Sequence, residues 1–168
     1  MIQKKLCMLG ASGVGKTSLV KQYVEGIFSD KYLTSIGVKI DKKHVQLDDT
    51  DVQLMLWDVE GIDRYSGFNP KYLRGAAVVL IVVDHSRPQS LQDALEIAHM
   101  TKAVKNVPIV LVINKSDLTP AQEWNDLLNS EVQLLFQAQY QTSAKENVGI
   151  EGMFIDVAKM SLHQNIKF

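Results

Sequence analysis

Gly10-Ala11-Ser12-Gly13-Val14-Gly15-Lys16-Thr17 is the stretch on which the reading of this chain turns. Before it lies Leu6-Cys7-Met8-Leu9, a short apolar run that predicts a buried strand. After it, Ser18-Leu19-Val20-Lys21-Gln22-Tyr23-Val24 has the apolar spacing of a helix. Strand, G-x-x-x-x-G-K-T and helix in that order predict a phosphate-binding loop. Glycines let successive backbone N–H groups turn toward one anion, and the helix N-terminus adds its positive end. Lys16 is placed to reach the β- and γ-phosphates of a nucleotide, and Thr17 can offer its hydroxyl to Mg2+.

Working outward, the 168 residues are 46% hydrophobic and 22% charged, which predicts one ordinary domain spanning residues 1–168 with a sizeable core. A formal charge of −1 leaves no global footprint for nucleic acid, so none is expected as a partner. The lone cysteine, Cys7, sits in the first apolar strand, which excludes an internal disulfide framework and a cysteine metal cluster. His44, His85, His99 and His163 are scattered without metal-ligand spacing. The apolar runs at residues 76–83 and 109–113 are too short to cross a bilayer, and no signal-like segment opens the chain. A reducing, cytoplasmic setting is the default expectation.

Val38 to Leu47 alternates partly and carries Lys39, Lys42, Lys43 and His44, as a protected edge strand would. Asp48-Asp49-Thr50-Asp51 predicts a tight turn, with residues 52–57 returning as the hairpin partner. Residues 26–37 and 58–70 read as irregular. Residues 76–84 and 108–114 read as strands buried on both faces. Helices are expected over residues 88–105, from Pro120 through Leu128, and over residues 150–162; a further strand is expected within residues 134–141. Strands alternating with helices predict an α/β domain with a mainly parallel sheet and ligands at the carboxyl ends of its strands.

Four further stretches fall where strands end or begin. Trp57-Asp58-Val59-Glu60-Gly61 places an aspartate able to orient Mg2+, usually through water, and a glycine N–H able to approach a terminal phosphate. Asn114-Lys115-Ser116-Asp117 supplies a carboxylate that can accept both the ring N–H and the amino N–H of guanine, a pair that adenine lacks. Thr142-Ser143-Ala144-Lys145 can present a backbone N–H to a base oxygen, and Tyr72-Leu73-Arg74-Gly75-Ala76 leads into the central strand.

With Ile36-Gly37-Val38 and Arg64-Tyr65, these residues resemble the Ras superfamily of small GTPases, most closely its Rab branch, over essentially the whole chain and in the family's motif order. The resemblance implies the α/β fold of a P-loop NTPase G domain: a mostly parallel six-stranded sheet with one antiparallel edge strand and helices on both faces. It implies GTP or GDP bound with Mg2+. Gly10, Ser12, Gly13, Val14, Gly15, Lys16, Thr17 and Ser18 would cradle the phosphates, with Thr17 and Ser35 on the metal and Asp58 as its outer partner. Gly61 becomes a γ-phosphate sensor. Asn114 and Asp117 read guanine, Lys115 lies along the base, and Ser143, Ala144 and Lys145 line it. Phe28 stands where the family stacks an aromatic on the base; alternatively it packs on the core. Residues 29–40 and 58–74 would meet effectors, exchange factors and activating proteins, and a monomer is expected. The two irregular segments resemble the family's switches, ordered by γ-phosphate and Mg2+.

Three departures carry chemical weight. Ser35 replaces the usual threonine and keeps both hydroxyl and N–H, with Thr34 as a neighbouring alternative. Ile62 stands where the family places a water-orienting glutamine, which predicts slow intrinsic hydrolysis. Glu60 replaces a small alanine; it would repel the γ-phosphate, position the water itself, or point to solvent. No arginine lies between Phe28 and Ile40, so the first switch offers no arginine finger in cis, and Arg64 and Arg74 read as second-switch and structural residues. The last residues, Asn165-Ile166-Lys167-Phe168, carry no cysteine for prenylation, so no lipid anchor is expected in this chain: either it is cut at the domain edge before a tail, or it works without an anchor and reaches any membrane through a partner. The competing readings are a slow GTPase switch, a guanine-nucleotide-binding module with negligible turnover, and an ATP-using kinase, which Asp117 disfavours.

Overall fold

A computed structural model describes residues 1–29, 37–62, 68–120, 124 and 130–163. In chain order these form β1 (Ile2–Gly10), α1 (Lys16–Glu25), β2 (Val38–Leu47), β3 (Thr50–Val59) and a 3-10 turn (Pro70–Leu73). Then come β4 (Ala76–Asp84), α2 (Pro88–Val104), β5 (Ile109–Asn114), α3 (Ser130–Leu135), β6 (Ala138–Gln141) and α4 (Ile150–His163). The six strands lie in the order β2-β3-β1-β4-β5-β6. β2 pairs antiparallel with β3, and every other pairing is parallel. The edge hairpin and the parallel remainder are the expected architecture.

β1 from Leu6 to Leu9, β4 from Ala76 to Val83 and β5 from Ile109 to Ile113 are continuously apolar because both faces are covered there, and successive side chains serve opposite cores. Leu6 and Met8 of β1 join Leu80 and Val82 of β4, Leu19 and Tyr23 of α1 and Phe154 of α4. Cys7 and Leu9 join Val79 and Ile81, Leu91, Ala94 and Ala98 of α2, and Val132 and Leu135 of α3. Tyr23 and Phe154 stack with ring centroids 4.0 Å apart, tying α1 to α4. Cys7 is buried, and burial pushes its thiol up to about 12, so it packs as a small hydrophobe.

β2 has the bounds its alternation predicts, and its hairpin turn is tighter than expected: Leu47 already pairs with Thr50. Asp48 takes φ 48°, a left-handed conformation that aspartate tolerates. The strand expected within residues 134–141 is β6, and its start falls at Ala138. Leu134 and Leu135 belong to α3, where Val132 and Leu135, three apart, turn inward while Leu134 is 83% exposed. A short run that satisfies both helical and strand spacing is resolved here by that face. The helix expected from Pro120 to Leu128 lies mostly outside the described residues, as do Thr34, Ser35, Arg64, Tyr65 and the last five positions.

Candidate nucleotide site

β1 hands the chain to α1 through the glycine-rich loop, and neighbouring strands dictate where glycine is required. A Cβ on Gly10, at φ 152°, would stand 2.5 Å from the Val82 carbonyl oxygen of β4. On Gly15, at φ 95°, it would stand 2.5 Å from Asn114 Nδ2. The loop is therefore clamped between β4 and the end of β5. Lys16 opens α1 with its side chain folded inward and only 6% exposed. Its ammonium donates to the Gly10 carbonyl at 3.5 Å, and burial lowers its pKa against the opposing pull of Asp58. A buried cation on one long hydrogen bond, inside a loop whose glycines expose backbone, suits a polyanion.

Beside it, Thr17 Oγ1 donates to Asp58 Oδ2 at 2.7 Å, joining the start of α1 to the end of β3. A hydroxyl whose hydrogen goes to a carboxylate keeps its lone pairs for a cation. The donor set is hard oxygen, as Mg2+ prefers, and Mg2+ usually takes only one or two protein ligands beside phosphates and waters. Among the described residues no group of three His, Cys, Asp or Glu could hold a metal unaided. Ser35, the other expected ligand, lies outside the described residues.

The segment after β3 closes against this loop. Gly61 packs so tightly that a Cβ there would overlap the Oγ, Cα and N atoms of Ser12. Ile62 N donates to the Gly10 carbonyl at 2.8 Å. The Ile62 side chain is 7% exposed and belongs to the apolar cluster of Val59, Leu73, Ala76 and Leu91. Glu60 is exposed and grips Gly37: its N–H donates to the Gly37 carbonyl at 2.7 Å, and its carboxylate accepts the Gly37 N–H at 3.2 Å.

At the end of β5, Asn114 is 1% exposed and braces three segments. Its Nδ2 donates to the Val14 carbonyl at 3.0 Å, and its Oδ1 accepts from Thr142 Oγ1 at 3.1 Å and Ala144 N at 3.3 Å. Lys115, at φ 63°, donates to the Gly13 carbonyl at 2.8 Å and pairs with Asp84 at 2.9 Å. Burial alone would raise the Asp84 pKa; hydrogen bonds from Ser86 and the Lys115 ammonium outweigh it and hold the carboxyl below its usual range. Asp117 is exposed and accepts from Ser143 Oγ at 2.7 Å, which orients the carboxylate. Ala144 is buried and Lys145 exposed, Ser18 is half-buried in the first turn of α1, and Phe28 packs half-buried on the α1–α4 core.

The structure thus gathers the phosphate loop, Asp58, Gly61, Asn114-Lys115-Ser116-Asp117 and Ser143-Ala144-Lys145 at one end of the sheet. Sequence reading missed Asp84, which anchors Lys115, and Gln22, whose Nε2 donates to the Ala144 carbonyl at 2.7 Å. It also missed Arg87, whose guanidinium donates to the Ser12 carbonyl at 3.2 Å. Each is an ordinary polar residue whose partner is remote in sequence, so no local signal marks it.

A mainly parallel sheet flanked by helices, with a glycine-rich loop at the carboxyl end of β1, a buried lysine and a Thr–Asp pair, is the architecture of a P-loop nucleotide-binding domain. The family model described as "Ras family" matches residues 5–163, and the chain belongs to that family, on its Rab branch. It is 33% identical over 165 residues to Ras-related protein RabJ of Dictyostelium discoideum, covering 94% of this chain and 63% of that protein. Thus it spans a little under two thirds of RabJ. It is 32% identical to Ras-related proteins Rab-7a and Rab-7b of Paramecium octaurelia, in each case covering 95% of this chain and 82% of the relative. Members of this family are GTPases that bind GTP and GDP and meet regulators and effectors. No helix among the described residues is long and apolar enough to cross a membrane.

Proposed function

We propose that this chain is a guanine-nucleotide switch that holds GTP or GDP with Mg2+ and hydrolyses GTP slowly. The observation that carries the reading is the buried Lys16 ammonium, set within the glycine loop beside the Thr17–Asp58 pair. In this reading Lys16 and the N–H groups of residues 13–18 neutralise the phosphates. Thr17 and Ser35 would hold Mg2+, with Asp58 as its outer partner, and the bound ion would supply positive charge to the phosphates. Asp117, oriented by Ser143, accepts the two N–H groups of guanine, while Asn114 fixes the loops on either side.

Slow turnover follows from Ile62, whose side chain has no polar atom and points into apolar core. Glu60 supports a switch in a different way. Its two hydrogen bonds with Gly37 join the end of the first switch segment to the start of the second, so that the two move together. Effectors and regulators would read residues 29–40 and 58–74. There Ile40 is 43% exposed and lies opposite Trp57, whose ring carries the Lys5 ammonium 3.6 Å from its centre.

The second reading, a nucleotide-holding module without turnover, rests on the same burial of Ile62. Single-turnover release of phosphate from γ-labelled GTP with Mg2+ separates them. Slow release above the protein-free control supports the switch, and release equal to that control supports the module.

A further inference from the structure

Arg87 is fixed in place from behind. Its N–H donates to the Asp84 carbonyl at 2.9 Å, and its own carbonyl accepts Ser90 N at 3.0 Å and Ser90 Oγ at 2.6 Å. Pro88 follows at the first position of α2 and restricts the backbone further. From this base the exposed guanidinium crosses to the phosphate loop, where Nη1 donates to the Ser12 carbonyl. Ser12 is also the residue on which Gly61 packs. Arg87, Ser12 and Gly61 therefore meet at one corner of the loop, the corner at which the γ-phosphate sensor sits. One nitrogen of the guanidinium is engaged there; among the described residues the rest of its donor fork has no partner and no carboxylate neutralises its charge.

We propose that Arg87 is an arginine supplied in cis to the γ-phosphoryl group, entering from the start of α2 rather than from a switch segment. The inference rests on the guanine-nucleotide reading above. In the reaction, water adds to the γ-phosphorus and the bond to the bridging oxygen breaks. That electron pair stays on the β-phosphate of GDP, and the water's proton leaves with inorganic phosphate. Negative charge on the transferring group and the leaving oxygen is what a guanidinium stabilises, and its planar fork suits two phosphate oxygens at once. The charge is fixed and needs no proton transfer. Arg87 thus supplies electrostatic stabilisation where Ile62 removes water positioning.

Aluminium fluoride with GDP tests this without turnover, because the planar fluoride complex stands in for the transferring phosphoryl group. mant-GDP is first bound to saturation with Mg2+ in the native protein, Arg87→Ala and Arg87→Lys. Failure of the native protein to bind mant-GDP overturns the guanine-nucleotide reading itself. With the nucleotide saturating, the native protein is expected to give a saturable fluorescence change on adding aluminium fluoride, with no partner protein. Arg87→Ala is expected to need at least about tenfold more fluoride complex, and Arg87→Lys, which keeps charge but loses the fork, to recover part of the difference. A native response that Arg87→Ala retains in full, or no native response at saturating mant-GDP, overturns the role of Arg87.

Discussion

The backbone N–H of Ile62 holds the Gly10 carbonyl at 2.8 Å, the same oxygen that Lys16 Nζ reaches at 3.5 Å. One carbonyl at the end of β1 thus connects the segment proposed to sense the γ-phosphate to the lysine proposed to bind the phosphates. An incoming phosphate that draws Lys16 toward itself weakens that lysine's hold on Gly10 and alters the oxygen on which residue 62 hangs. The link is mechanical as well as chemical, because the Ile62 side chain is buried at the far side of the same residue.

Ile62→Gln separates the two roles of that position. Removing the apolar side chain from the cluster with Leu73 and Leu91 is expected to lower folding stability by about 1.5–3 kcal/mol, read as a lower urea midpoint with unchanged slope. The amide, costly to bury, turns toward the loop, and single-turnover GTP hydrolysis is expected to rise by about tenfold or more. Hydrolysis equal to that of the native chain would show that the isoleucine is not what slows it.

Glu60→Ala removes the carboxylate that accepts the Gly37 N–H and leaves the backbone bond in place. A hydrogen bond of this kind contributes roughly 1 kcal/mol, so amide exchange at Gly37 is expected to quicken about fivefold. Glu60→Gln keeps an acceptor and should lie between the two. Hydrogen exchange read by mass spectrometry over the peptide containing Gly37 is the check, and unchanged exchange in Glu60→Ala would break the clasp.

How much of this was legible beforehand differs by element. The phosphate loop and β2 could be read because local spacing and local geometry specify them. Alternation of helix and strand made the mainly parallel α/β sheet legible, but the strand order β2-β3-β1-β4-β5-β6 is set by crossovers that spacing along the chain does not encode. The orientation of Ile62 was not legible: in an irregular segment no periodicity says which way a side chain points, so the substitution read only as a missing glutamine. Glu60 offered three destinations to sequence reasoning, and its contact with Gly37 emerges only when the ladder of β2 and β3 is extended one residue beyond Val38 and Val59. The start of β6 was ambiguous because the short apolar run around Leu134 and Leu135 satisfies helical and strand spacing alike. Arg87 and Gln22 meet partners 75 and 122 positions away, which spacing along the chain does not encode.

Asp84 makes the fold sensitive to acid. Its folded pKa lies below the ordinary value of 3.8, so the stability it contributes is present in full above that value and is lost as pH falls through the lower, folded one. Asp84→Asn leaves Lys115 with only the Gly13 carbonyl and is expected to cost about 1–3 kcal/mol at pH 7. Urea unfolding of both proteins should show that gap at pH 7 and see it shrink toward pH 3. A gap independent of pH would assign the loss to something other than the ionised carboxylate.

Asp117→Asn replaces the carboxylate proposed to accept two guanine N–H groups with an amide that presents a donor of its own. The lost charge-assisted bond, with a donor facing a donor, is expected to weaken GDP binding by about 30-fold or more. Xanthosine diphosphate, which carries an oxygen in place of the guanine amino group, should bind the variant better than GDP does. Isothermal titration of both nucleotides against both proteins measures the exchange of preference, and an unchanged preference for GDP would remove Asp117 from the base.

The most direct test of the guanine-nucleotide account is competition for mant-GDP bound to the purified chain in Mg2+. The account predicts that GTP and GDP displace it at near-equimolar concentration and that ATP in about a thousandfold excess leaves it bound. Displacement by ATP at concentrations comparable to GTP, or no binding of mant-GDP at all, would contradict it.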